Sequence, residues 1–94
     1  MSQWNDSSKV DQSVALRYDG DSAPTVVAVG EGEVARQINA LAELAGVPVV
    51  DDPKLAFLLS QVPLGDEIPA PLYRAVAEVL VFVMRMELAL EERA

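Results

Sequence analysis

The stretch PTVVAVGEGEVARQINALAELAGVPVV, residues 24–50, decides the fold of this chain. It begins with the β-branched run Thr25–Val29, which favours a strand, and a glycine-containing turn follows. Apolar residues then recur with a helical period, at Val34, Ile38, Leu41 and Ala45. Gly46 stands where a left-handed glycine ends a helix, and Val47–Val50 is a second apolar run. The pattern predicts a strand, a crossover helix and a second strand parallel to the first.

A further strand is predicted before this unit. Ser13–Tyr18 alternates apolar and polar side chains, as a half-buried strand does. The link 19–24 is too short for a helical crossover, so this strand should pair antiparallel with Thr25–Val29. The predicted fold class is therefore α/β. It has a small mixed sheet with three strands from residues 13–50, a place for a fourth strand from the N-terminus or a partner, and about three packed helices.

Two helices are expected after residue 50. Residues 51–53, Asp-Asp-Pro, give an acidic N-cap and a proline in the first turn, which predicts a short helix over Lys54–Ser60. Its inward face is formed by leucines, at Leu55, Leu58 and Leu59. The loop 62–69 is expected to be structured, with Leu64 and Ile68 packing inward.

The last helix is predicted to be long, opening at Pro69 or Pro71 and reaching about Glu91. Its core stripe, taken at 100° per residue, contains Leu72, Val76, Val79, Leu80, Val83, Met86 and Leu90. Val81 and Phe82 lie on or beside the polar side, either covered by other parts of the chain or exposed for a partner. The predicted domain spans residues 13–91, between a flexible tail, 1–12, and a frayed end, 92–94. In that tail, Trp4 is either an anchor or an isolated surface aromatic.

Composition excludes several classes of function. The chain has 94 residues, enough for one domain, and contains no cysteine and no histidine. Disulfides, thiolate chemistry and the commonest general base are therefore absent. The net charge of −8 argues against binding to nucleic acid or to an anionic membrane surface. The start lacks the features of a signal peptide, and the longest apolar run, Val79–Met84, is too short to span a bilayer, so we expect a cytoplasmic protein.

No motif for catalysis stands out. Gly30-Glu31-Gly32 superficially resembles a phosphate-binding turn, but its third glycine and a P-loop lysine are missing, and the flanking glutamates would repel phosphate. We interpret Gly30 and Gly32 as turn geometry. Three carboxylate pairs lie in turn-like segments that favour solvation and capping: Asp19 with Asp21, Asp51 with Asp52, and Asp66 with Glu67. We expect neither an enzyme nor a cofactor or metal site.

Four motifs together carry a family resemblance. They are VALRYD (14–19), APTVVAxG (23–30), GVPVVDDPxLA (46–56) and LGDEIPxxLYxAVAEVL (64–80). With them, residues 14–86 resemble the C-terminal cytoplasmic domain of the type III export-apparatus switch proteins, the family of flagellar FlhB and its injectisome relatives. The resemblance implies a four-stranded sheet surrounded by helices. It also implies a role at the cytoplasmic face of the export gate, in contact with export substrates and the hook- or needle-length control protein.

The chain departs from the family in two ways. The family's self-cleaving Asn-Pro-Thr-His motif corresponds to Ser8-Lys9-Val10-Asp11, none of which matches, so we predict no self-cleavage. The family's transmembrane helices have no counterpart in this sequence, which resembles only the piece after the cleavage point. Because residues before that point supply one strand in the family, one sheet edge is expected to be open. Such an edge could pair with a second copy or with the N-terminal cleavage fragment of a full-length switch protein.

The leading hypothesis is a non-enzymatic component or modulator of flagellar type III export that binds export substrates or the length-control protein. The alternative is a regulatory or small-ligand-binding domain that has left secretion. The candidate partner-binding residues are Tyr18, Asp19, Asp51, Asp52, Pro53, Lys54, Tyr73, Val81 and Phe82. For each of them, a cap or ordinary packing is the competing explanation.

Overall fold

The computed structural model describes the backbone of residues 12–93 and the side chains of residues 12–89. Within these residues there are two strands, three α-helices and one short 3₁₀ turn. In chain order they are β1 (Gln12–Arg17), β2 (Thr25–Glu31), α1 (Gly32–Leu44), α2 (Pro53–Leu59), the 3₁₀ turn (Ala70–Leu72) and α3 (Tyr73–Arg93). The fold class is α/β, as expected. The predictions for the N-terminal tail, including Trp4, lie outside the described residues, except that Gln12 opens β1 instead of belonging to the tail.

The two strands form an antiparallel pair, which confirms the inference from their short link. The ladder runs from Gln12 opposite Glu31 to Arg17 opposite Thr25. Its register shifts once between Ala15 and Leu16, so β2 carries one extra residue at this point. The bulge lets Val26 face the same core as Leu16.

The loop after α2 covers the outer edge of β2 where that strand begins. Gly65 donates its N–H to the carbonyl of Val26 at 2.8 Å, and Val26 donates to the carbonyl of Asp66 at 3.0 Å. Ile68 donates to the carbonyl of Pro24 at 2.9 Å. The loop 65–68 therefore satisfies backbone groups of β2 that would otherwise face solvent.

Helices pack on both faces of this sheet. On one face, α1 lies across both strands, with Ala35 fully buried and Ser13 donating its hydroxyl proton to Asn39 at 2.7 Å. On the other face, α2, the loop and the start of α3 enclose the core. Its buried members are Val26, Leu55, Leu59, Val62, Ile68 and Val76. This core holds together the elements that form the candidate site.

The predicted third strand is wrong. Residues 47–50 are not paired with any strand of the described chain, and Val47, Val49 and Val50 are exposed. A strand needs a neighbour, and Pro48 has no N–H to give one. The end of α1 does follow the sequence: Gly46 has φ of 75°, and Val47 donates to the carbonyl of Ala42 at 2.8 Å. Within residues 12–93 the sheet is therefore antiparallel with two strands, and α1 is not a crossover between parallel strands.

The apolar face predicted for α1 is only partly buried. Ile38 is half-buried, whereas Val34, Leu41 and Ala45 are exposed, with Leu41 at 65%. The contact is centred on Ala35 because a sheet of two strands is only about 10 Å wide, so the edge of the helix overhangs it.

Three other apolar residues differ from their predicted positions. Leu58, Leu64 and Met86 are exposed. Val62 fills the inward position that we predicted for Leu64, because the turn after α2 directs it into the core. Leu90 lies beyond the described side chains.

Candidate functional site

A cleft of about 320 Å³ opens between the link that joins β1 to β2 and the first turns of α3. Ten residues line it: Tyr18, Asp21, Ser22, Ala23, Pro24, Ile68, Tyr73, Val76, Ala77 and Leu80. Ile68 and Val76 belong to the buried core, so the cleft is a surface extension of the domain's interior.

The β1–β2 link forms one wall and is held by its own hydrogen bonds. The Asp19 carboxylate accepts the N–H of Asp21 at 3.0 Å, the geometry of an Asx turn. This bond lowers the pKa of Asp19 below its usual value, because it stabilises the charged form. Pro24 is buried at the end of the link, where its carbonyl accepts from Ile68. The link is therefore fixed against the loop that leads to α3.

The other wall comes from α3. Pro69 precedes the 3₁₀ turn 70–72, and this turn runs directly into the α-helix at Tyr73. Tyr73, Ala77 and Leu80 follow one another at i, i+4 and i+7, so they share one face of the helix. The helix thus presents a continuous apolar wall opposite the link.

The cleft combines an apolar interior with a few polar groups. Its interior is formed by small and aliphatic side chains. The hydroxyls of Tyr18, Ser22 and Tyr73 and the carboxylate of Asp21 supply the polar groups. Such a combination can hold an apolar side chain and make hydrogen bonds around it.

A second hollow, of about 280 Å³, lies between α2 and the loop that follows it. It is lined by Leu58, Gln61, Val62, Pro63, Asp66, Glu67, Pro69 and Leu72. Two carboxylates are present there, but among the described residues no group of three or more potential metal ligands comes together. This hollow has no constellation that points to a ligand.

The structure brings together two of the residues predicted to bind a partner. Tyr18 and Tyr73, distant in sequence, line the same cleft, and Asp19 lies beside it in the link.

Two residues of the segment 51–54 form the start of α2. Asp52 caps α2 by accepting the N–H of Leu55 at 3.1 Å, and Pro53 occupies the first turn. Asp51 and Lys54 are exposed beside them and line neither hollow.

Val81 and Phe82 are both exposed, so the described part of the chain does not cover them. They lie on different faces of α3. Val81 follows Ala77 by one turn and extends the cleft wall, whereas Phe82 points about 100° away from Val81.

Sequence reasoning did not find Ala23, Pro24 or Ala77 as site residues. Val76 and Leu80 were recognised only as core positions of the helical stripe. The available signal was that Ala77 stands one turn after Tyr73, on the edge of that stripe. No pattern in the sequence marks Ala23 and Pro24 as site residues, because only the folded chain places them opposite α3.

The sequence model described as the FlhB, HrpN, YscU and SpaS family matches residues 10–83. The chain belongs to this family. Among curated relatives, YlqH of Bacillus subtilis is 41% identical over 78 residues, which is 81% of this chain and 84% of YlqH. The flagellar biosynthetic protein FlhB of Escherichia coli is 45% identical over 78 residues, which is 80% of this chain and 20% of that protein. The chain thus spans about a fifth of the FlhB proteins it matches and most of YlqH.

Solved structures of family members have the same fold. The crystal structure of the PscU C-terminal domain superposes with a TM-score of 0.73 at 30% identity, covering 78% of this chain and 96% of that one. A mutated EscU/SpaS C-terminal domain gives a TM-score of 0.75 at 29% identity, covering 80% of this chain and 96% of that one. Together these findings identify a domain like that of the flagellar and type III export switch proteins.

None of the helices within residues 12–93 has the length and apolar character required to cross a bilayer.

Proposed function

We propose that this domain is a non-enzymatic binding module of flagellar type III export, acting like the post-cleavage C-terminal fragment of the switch protein. It would bind segments of export substrates or of the hook-length control protein at the cytoplasmic face of the export gate. The observation that carries the proposal is the cleft between the β1–β2 link and α3.

The construction of the cleft supports binding to a protein segment. Its floor is rigid, because Ile68 and Val76 are almost fully buried, at 2% and 1% exposure. Its walls are open at the surface, so an apolar side chain can enter while the chain that carries it stays outside. Two tyrosines at the rim offer large contact area together with a hydroxyl, a combination common at protein interfaces.

Binding is tested with the purified full chain and purified flagellar export substrates or hook-length control protein. Ala77→Glu puts a charge against the apolar wall and should weaken binding at least tenfold, since a buried charge without a partner is costly. Ala89→Glu is the matched control: it adds the same charge at an exposed position about 120° around α3 from Ala77. Equal affinity of the two variants, or no binding of any export component by the unaltered chain, would contradict the proposal.

The sheet offers a second contact. Within residues 12–93, β1 pairs only with β2, so the other edge of β1 carries backbone groups without a strand beside them. We propose that this edge accepts an extended segment, either from the N-terminal fragment of a full-length switch protein or from a second copy.

The same proposal includes the absence of self-cleavage. Cyclisation of an asparagine side chain requires that asparagine, and Ser8-Lys9-Val10-Asp11 has none. Mass spectrometry of the purified chain should give one intact species. A product split next to Lys9 or Val10 would refute this part of the proposal and leave the cleft untouched.

A further inference from the structure

The apolar wall of the cleft does not stop at the cleft. Beyond Ala77, the same face of α3 continues through Val81, Met84 and Leu88, at i+4, i+7 and i+11. These three side chains are 44%, 53% and 55% exposed. We call Ala77, Val81, Met84 and Leu88 the α3 stripe. At 1.5 Å per residue it runs for about 17 Å along the helix.

The shape of the stripe selects a helical partner. A helix has no free backbone edge along its length, so a strand cannot add to α3 by hydrogen bonding. A single straight row of apolar side chains spaced by four and three residues instead matches the ridges and grooves of another helix. A segment with apolar residues at the same spacing could contact the stripe over three turns.

Charge decides between a second copy and a different partner. Each copy carries a net charge of −8, so contact between two copies works against repulsion. At the cleft end of the stripe, Asp21 lines the wall, and the Asp19 carboxylate lies beside it in the link. Cationic residues of a partner would be attracted to these aspartates, whereas a second acidic copy would be repelled by them.

We infer that the cleft and the α3 stripe together bind one basic amphipathic helix, with its apolar face along α3 and cationic residues beside the Asp19–Asp21 turn. This inference rests on the proposed function, because the bound helix would belong to the protein segment that the domain recognises. It adds the secondary structure and the charge of that segment.

The experiment uses the isotopically labelled full chain and two synthetic 14-residue peptides followed by NMR. One peptide combines leucine at helical spacing with lysine, and its twin replaces every lysine by glutamate. The Leu/Lys peptide should shift the signals of Val81, Met84 and Leu88 together with those of Tyr18 and Tyr73. The Leu/Glu twin should leave them unchanged at the same concentration.

The chain offers a matched pair of variants. Met84 and Met86 are almost equally exposed, at 53% and 51%, but two residues along a helix put them about 200° apart. Met84→Gln should weaken binding of the Leu/Lys peptide at least fivefold, and Met86→Gln should change it less than twofold. Circular dichroism checks that both variants keep the helical content of the unaltered chain.

Three outcomes would overturn the inference. Shifts spread over all acidic surfaces, with Met84→Gln and Met86→Gln binding alike, would indicate charge attraction alone. Shifts limited to Tyr18 and Tyr73 would remove the stripe while the cleft proposal stands. Sedimentation equilibrium showing a dimer that Met84→Gln dissociates would mean that a second copy covers the stripe.

Discussion

Gly30 is the residue at which β2 and α1 come closest. A Cβ atom placed there would overlap the side chain of Val34 and lie 3.0 Å from Cδ1 of Ile38. The sequence suggested that this glycine serves a turn, but it lies within β2 in ordinary backbone geometry. Its function is therefore to let the helix approach the strand. Gly32, with φ of 55°, is the glycine that makes the turn into α1.

Gly30→Ala should destabilise the domain by roughly 1–3 kcal/mol, the usual range for overpacking. The variant Val34→Ala alone should change stability by less than about 0.5 kcal/mol, since Val34 is exposed. Combined with Gly30→Ala, it should recover most of the loss by removing the overlapping methyl groups. Urea denaturation of the four proteins gives the coupling energy; additive effects would show that the two residues do not compete for space.

The Asp19 carboxylate should make a pH-dependent contribution to stability. Its folded-state pKa is lowered chiefly by the N–H of Asp21, so the stabilisation is present above the unfolded-state pKa. It is lost as the pH falls through the folded-state pKa. The difference in melting temperature between the unaltered chain and Asp19→Asn should therefore be constant near neutral pH and shrink in acid. A difference that grows in acid would contradict the assigned direction.

Among the elements, α2 is the one whose start is determined most locally. Asp52 and Pro53 specify the first turn by themselves, and the structure has the cap that the sequence predicts. The same two residues were also candidates for partner binding. Their role at the start of α2 affects stability, whereas partner binding affects affinity, so the two roles can be measured separately.

Asp52→Ala should cost about 1 kcal/mol of stability, as the loss of an N-cap does, and should leave the affinity for export components within twofold. Asp51→Ala is the control, because within the described part of the chain Asp51 makes no hydrogen bond to α2 and is exposed. Chemical denaturation measures the first effect and the binding assay the second. A loss of affinity in Asp52→Ala without a loss of stability would show that Asp52 contacts the partner directly.

Across the whole molecule, the features of the fold that could be predicted are those that depend on residues close together in sequence. The antiparallel pair followed from the short link 19–24, and the end of α1 followed from Gly46. The third strand failed because Val47–Val50 has strand-like composition but no strand beside it within the described chain. Whether such a segment pairs depends on groups far from it in sequence.

The candidate site was predictable to a similar degree. Tyr18 and Tyr73 were found because aromatics stand out at the end of a strand and the start of a helix. The small residues between them were not found. Ala23 and Ala77 are ordinary in their own segments and become walls of a cleft only after the core around Ile68 and Val76 has brought the segments together.

Hydrogen exchange should distinguish the paired backbone of the sheet from the unpaired segment 47–50. Amides of the β1–β2 ladder should exchange slowest, together with the buried amide of Val26, which donates to Asp66, because their hydrogen bonds lie against the core. Val49 and Val50 should exchange within the fastest class. Addition of a strand-forming partner should slow β1 selectively, whereas a partner bound only at the cleft should leave its rate unchanged.

The loop that hydrogen-bonds to Pro24 and Val26 limits what can be assembled from this domain. An incoming strand would have to displace residues 65–68 to pair with the first part of β2, whereas within the described chain no strand or loop is hydrogen-bonded along the other edge of β1. Because only one side of the sheet can be extended freely, each addition uses up the position that a further addition would need. Strand exchange by this protein should therefore give closed complexes of fixed stoichiometry rather than growing fibres.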